Sequence, residues 1–136
     1  MRYLLFLLLA VMVNMNVSFA QKSKFNEYVE VLYFHGKQRC ATCRAIETNT
    51  KNVIYKNFAK ELKQGKVKYR VIDISTPEGE RMADAYKVSW SSLFVNKWKN
   101  GKETRMDLTQ MGFKNARTNS AEFSKQLEKT VTELLK

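Results

Sequence analysis

Residues 27–34 begin as an alternation, with Val29 and Val31 either side of Glu30, and finish as an unbroken apolar run through Leu32, Tyr33 and Phe34. That pattern predicts a strand half covered at one end and buried on both faces at the other. A polar turn follows, His35-Gly36-Lys37-Gln38-Arg39. From 42 to 64 the period changes. Ile46, Val53, Ile54, Phe58 and Leu62 share one face of a long helix. Thr48, Asn49, Thr50 and Asn52 are poor helix formers, so a kink or fraying is predicted there, and Gly65 supplies the stop. Residues 67–74 read as a second strand. Ser75-Thr76-Pro77-Glu78 then opens a short helix to about Lys87, with a hydroxyl cap, proline in the first turn and Met82, Ala85 and Tyr86 inward. A third strand over 92–98 and a fourth over 102–108 are joined by Asn100-Gly101, a two-residue hairpin signal. A loop containing Gly112 leads to Asn119 and Glu122, spaced as a capping box, and to the apolar stripe Phe123, Leu127, Val131 and Leu134.

The order is therefore β–α–β–α–β–β–α. Strands that alternate with helices are expected to pair in parallel through crossovers, and the hairpin makes the last pair antiparallel. The expected architecture is α/β, a mixed four-stranded sheet with helices on both faces.

The first twenty residues differ from the rest. Arg2 precedes an apolar run over 3–13, and Ser18-Phe19-Ala20 places small residues where a signal peptidase cuts. The run is far shorter than the roughly 20 residues that span a bilayer. The expectation is a signal peptide over 1–20, a mature domain over 21–136, no stable membrane insertion after cleavage, and a periplasmic or extracellular address. With 136 residues, five glycines and one proline, the chain suits one globular domain. Its net charge of +11 becomes +10 once Arg2 is removed. The basic residues are scattered, and an exported protein rarely meets nucleic acid, so a solvated basic surface is expected rather than a nucleic-acid interface.

The chemistry lies in the chain's two cysteines, in Cys40-Ala41-Thr42-Cys43. The pair sits where the first strand gives way to the first helix. The thiolate is the reactive form of cysteine, and a helix N-terminus with cationic neighbours favours it. Lys37, Arg39 and Arg44 supply those cations, and Thr42 offers a hydroxyl to the sulfur. Outside the cytosol the pair is either a stable disulfide or one that cycles with its dithiol. Three uses stay open. The leading one is a thiol:disulfide oxidoreductase or electron carrier acting on protein thiols, disulfides or a redox partner. Another is a soft-metal or metallochaperone site of Cys40, Cys43 and His35. The third is a structural disulfide, although so short a loop restrains the unfolded chain little. Nothing looks like a flavin or nicotinamide site, and dithiol exchange calls for no cofactor or resident metal.

The element order and the Cys-x-x-Cys at the first strand–helix junction resemble the thioredoxin-like fold over residues 27–135. The resemblance implies that Cys40 attacks and Cys43 resolves. Several positions depart from the family pattern. A cis-proline normally precedes the third strand and faces the cysteines, where its neighbour's backbone pairs with the substrate; Ser91 or Ser92 stands there instead. A cis bond before serine costs roughly 2.5–4 kcal/mol, so a trans loop is predicted, with docking that departs from the family's mode. The usual tryptophan before the first cysteine is Arg39. The family's buried acid near the end of the first strand has no counterpart, and His35 stands next, either as its substitute in proton transfer or as a polar turn residue. The stretch from Tyr33-Phe34-His35 through Arg39-Cys40-Ala41-Thr42-Cys43-Arg44-Ala45-Ile46-Glu47 is also similar to small exported bacterial thioredoxin-like proteins. Some of these are named as a subunit of a nitrophenyl-compound nitroreductase, a label that implies no mechanism here.

Overall fold

The computed structural model describes residues 26–136. The expected signal peptide over 1–20 and its expected cleavage point before Gln21 lie outside them. The elements in chain order are β1 (Glu27–His35), α1 (Ala41–Asn57), α2 (Ala59–Gln64), β2 (Val67–Asp73), α3 (Pro77–Tyr86), β3 (Ser92–Lys99), β4 (Lys102–Asp107), α4 (Thr109–Asn115) and α5 (Ser120–Leu134).

The four strands form one mixed sheet in the order β2-β1-β3-β4. As an inner strand, β1 explains its own sequence. Val31, Leu32, Tyr33 and Phe34 are all 0% exposed, because both faces of the strand are covered. Val29, Val31 and Tyr33 face a layer built from α1 and α5, with Ile46, Val53, Ile54, Phe123, Leu127 and Val131 packed on Leu93 and Val95. Leu32 and Phe34 face the opposite layer, where Met82, Tyr86 and Val88 pack against them with Ile72 and Phe94. Among the described residues no helix is long and apolar enough to cross a membrane.

The sheet corrects the expected strand directions. β2 runs parallel to β1, but β3 pairs with β1 antiparallel. β2 ends with Asp73 opposite His35, and β3 begins with Ser92 opposite Phe34. The link through α3 thus leaves and returns at one end of the sheet. A link that does not carry the chain back along the strands delivers an antiparallel partner. The hairpin is as expected, with Asn100 and Gly101 at φ 52° and 77°, the pair of positive angles that a tight turn needs.

Three local expectations also change. α1 begins at Ala41 with Cys40 as its N-cap and continues as helix through 48–52. The poor helix formers there have tertiary roles: Asn49 Nδ2 donates to the Ala116 carbonyl at 2.7 Å, and Thr50 is fully buried. The break falls instead at Phe58, buried at φ −126°, which separates α1 from α2. Second, the expected loop around Gly112 is the helix α4. A Cβ on Gly112 would meet Ile46 Cδ1 at 3.3 Å, so this glycine permits a close approach to α1 rather than ending a helix. Third, the inner face of α3 is Gly79 and Ala83 with Met82 and Tyr86, while Ala85 is exposed.

Candidate functional site

β1 leaves the sheet at the end where β3 enters it, so the turn after His35 and the segment before Ser92 lie together. Cys40 is extended at φ −70°, ψ 164°, and its Sγ accepts the backbone N–H of Cys43 at 3.0 Å. Sulfur here does what a serine or aspartate oxygen does at an ordinary N-cap. The first turn of α1 contains no acidic residue to offset the dipole's positive end. Cys40 and Cys43 are joined in a disulfide with Cα atoms 5.0 Å apart. Cys40 is exposed, and Cys43 is only 4% exposed. One sulfur is therefore open to an incoming group and the other is shielded.

A groove of about 540 Å³ opens beside the disulfide. It is lined by the cysteines, by Gly36, Gln38 and Arg39 of the preceding turn, and by Ser89, Trp90 and Ser91 before β3. Arg39 is ion-paired with Glu47, in the second turn of α1. Arg44 donates from its guanidinium to the Arg39 carbonyl at 2.6 Å. These two contacts clamp the turn onto the helix. They also mean that the Arg39 charge is shared with a carboxylate, so it acts on Cys40 less than an unpaired cation would.

The other expected site residues are spread around this centre. Lys37 is exposed on the turn, and Thr42 is half-buried in the first turn of α1. Ser91 is 3% exposed and lines the groove, whereas Ser92 begins β3 and its Oγ donates to the Trp90 carbonyl at 3.2 Å. All peptide bonds among the described residues are trans, as the serine in place of proline predicts. His35 donates from Nδ1 to the Gly36 carbonyl at 3.0 Å, stacks on Tyr33, and is not a lining residue of the groove. Among the described residues no group of three or more His, Cys, Asp or Glu side chains is arranged to hold a metal ion. The nearly buried acid of β1 is Glu30, opposite Asn96 and toward the other end of the strand. Burial raises its carboxyl above the usual range, and Arg70 opposes that shift.

Sequence reasoning passed over Tyr33. It is fully buried beneath the helix start, and its hydroxyl donates to the Cys43 carbonyl at 2.7 Å. The signal was available: a tyrosine in a wholly apolar run needs a partner for its hydroxyl once buried. This bond ties the shielded cysteine to the central strand. Tyr33→Phe is expected to cost about 1 kcal/mol in urea unfolding, the net worth of one neutral hydrogen bond. An unchanged midpoint would show that the bond contributes nothing.

No family model matches the sequence, and no curated protein matches it. Among solved structures, a malarial protein is 22% identical at a TM-score of 0.47, over 76% of this chain and 97% of its own. A thioredoxin from Thermus thermophilus is 20% identical at a TM-score of 0.46, over 76% of this chain and 73% of its own. The chain's own topology carries the assignment. A sheet ordered β2-β1-β3-β4 with mixed pairing, helices on both faces and a Cys-x-x-Cys at the junction of β1 and α1 is a thioredoxin-like fold.

Proposed function

We propose that the protein is an extracytoplasmic thiol:disulfide oxidoreductase or thiol-based electron carrier, with Cys40 as the attacking and Cys43 as the resolving cysteine. The observation that carries this reading is the Cys43 N–H held 3.0 Å from an exposed Cys40 sulfur at a helix start. Such a donor favours thiolate over thiol once the pair is reduced. In the reductive direction the Cys40 thiolate attacks one sulfur of a partner disulfide, and the other partner sulfur leaves as a thiolate. The Cys43 thiolate then attacks Cys40 Sγ, restores the internal disulfide and releases the partner's second thiol. Two electrons pass to the partner. Oxidation of a partner dithiol is the same sequence reversed.

The apolar run after Arg2 supports an exported protein, and the similarity of the Tyr33 to Glu47 stretch supports a place among small exported bacterial thioredoxin-like proteins. Recovery of the full-length protein in the cytoplasmic fraction, with its leader intact, would remove the extracytoplasmic part of the reading.

The deciding measurement is the reduction potential of the Cys40–Cys43 pair, taken with an insulin-reduction assay. A value between about −270 and −120 mV with turnover is expected. A potential below about −300 mV without turnover would make the pair a structural disulfide.

A further inference from the structure

Trp90 is 64% exposed, at the rim of the groove that holds the disulfide. Its ring lies flat on Phe113 of α4, with centroids 5.6 Å apart and planes 15° from parallel. Phe113 is half-buried, and its helix is seated on α1 by the contact between Gly112 and Ile46. The indole is thus backed on one face and open on the other, one wall away from the reactive sulfur. An exposed tryptophan already held in place loses little freedom when something lands on it. Such rigid aromatics dominate binding energy at interfaces.

The surroundings are cationic. Lys37 and Arg44 flank the cysteines, and Lys114 and Arg117 are exposed beside Phe113. None of these four takes part in an ion pair among the described residues.

Resting on the redox reading above, we infer that Trp90 and Phe113 form the docking platform that selects the substrate. The occupant is an extended acidic polypeptide segment with an apolar side chain beside its cysteine. A small thiol needs only Cys40. A polypeptide whose sulfur reaches Cys40 continues over the groove rim and sets its apolar side chain on the open face of Trp90. Its carboxylates then meet the lysines and arginines around the site.

The test uses two oxidants of the dithiol-reduced full-length protein. One is glutathione disulfide. The other is a short peptide whose glutathionylated cysteine follows a leucine and precedes glutamates. With the peptide, the Cys40 thiolate attacks the peptide sulfur and glutathione thiolate leaves. Cys43 then closes the internal disulfide and frees the peptide thiol.

Trp90→Ala is expected to raise KM for the peptide on the order of tenfold, a clearly larger factor than its effect on the rate with glutathione disulfide. Trp90→Phe is expected to recover most of the loss, which a fold defect would not allow. Changing the peptide's glutamates to lysines is expected to raise KM in the wild type.

An unchanged peptide KM in Trp90→Ala, or an equal fall on both oxidants, would overturn the platform. Equal KM values for the glutamate and lysine peptides would overturn the acidic partner. A wild type inert towards both oxidants would instead sink the redox reading, and this inference with it.

Discussion

Cys40→Ser is expected to drop disulfide exchange to the uncatalysed rate, while Cys43→Ser leaves the first attack intact and halts the cycle at a mixed disulfide. The difference follows from exposure. Cys40 is open at the groove, and Cys43 is 4% exposed beneath the helix start, so only one sulfur meets a partner directly. Mass spectrometry of Cys43→Ser after incubation with a disulfide peptide is expected to find the peptide attached to Cys40. The same amount of adduct on Cys43 in Cys40→Ser would reverse the roles. In the reduced protein Cys40 is also expected to titrate well below the unperturbed thiol value of about 8.5, because the Cys43 N–H and the α1 dipole act on its charged form. Arg39, paired to Glu47, adds less to that shift than an unpaired cation would. A thiol that titrates near 8.5 by its thiolate absorbance would count against catalysis by Cys40.

The largest effect on stability is expected at Gly79, in the first turn of α3. Thr76 caps this helix with one hydroxyl used twice. Its Oγ1 accepts the Gly79 N–H at 3.0 Å and donates to the Asp73 carbonyl at 2.8 Å. The cap folds the helix start back onto the end of β2. As a result, a Cβ on Gly79 would overlap the Asp73 carbonyl oxygen, a backbone atom with no room to move. Gly79→Ala is therefore expected to cost about 3 kcal/mol, despite alanine's better helix propensity. The melting temperature should fall by on the order of 10 °C. Gly36→Ala serves as the control, since nothing lies within 4 Å of a Cβ there. A stabilised Gly79→Ala would mean that the start of α3 relaxes away from β2. Because β2 and β3 meet the sheet at the end where α3 leaves and returns, such a relaxation should also be felt at Ser89, Trp90 and Ser91.

Most of the architecture was legible because burial imposes period on a sequence. The solid run at Leu32, Tyr33 and Phe34 marked an inner strand, and the stripe Phe123, Leu127 and Val131 marked a helix lying on it. The misreadings within the helices α1 and α4 share one cause. Thr50, Asn49 and Gly112 were weighed by intrinsic preference, whereas their contacts with distant residues decide their conformation. Gly79 carried a faint signal, as a glycine placed in a helix at a cost in propensity. Phe113 carried none, because its stacking on Trp90 joins segments far apart in the chain.

The sequence by itself determined the dithiol, its place between a strand and a helix, and the α/β layering around it, since each of these is a matter of local spacing and periodicity. Only the tertiary structure decided the direction of β3, the bond from Tyr33 to Cys43, the pairing of Arg39 with Glu47, and the aromatic pair beside the groove. Those depend on which distant side chains a closed core brings within contact distance, a property of packing that no local pattern records.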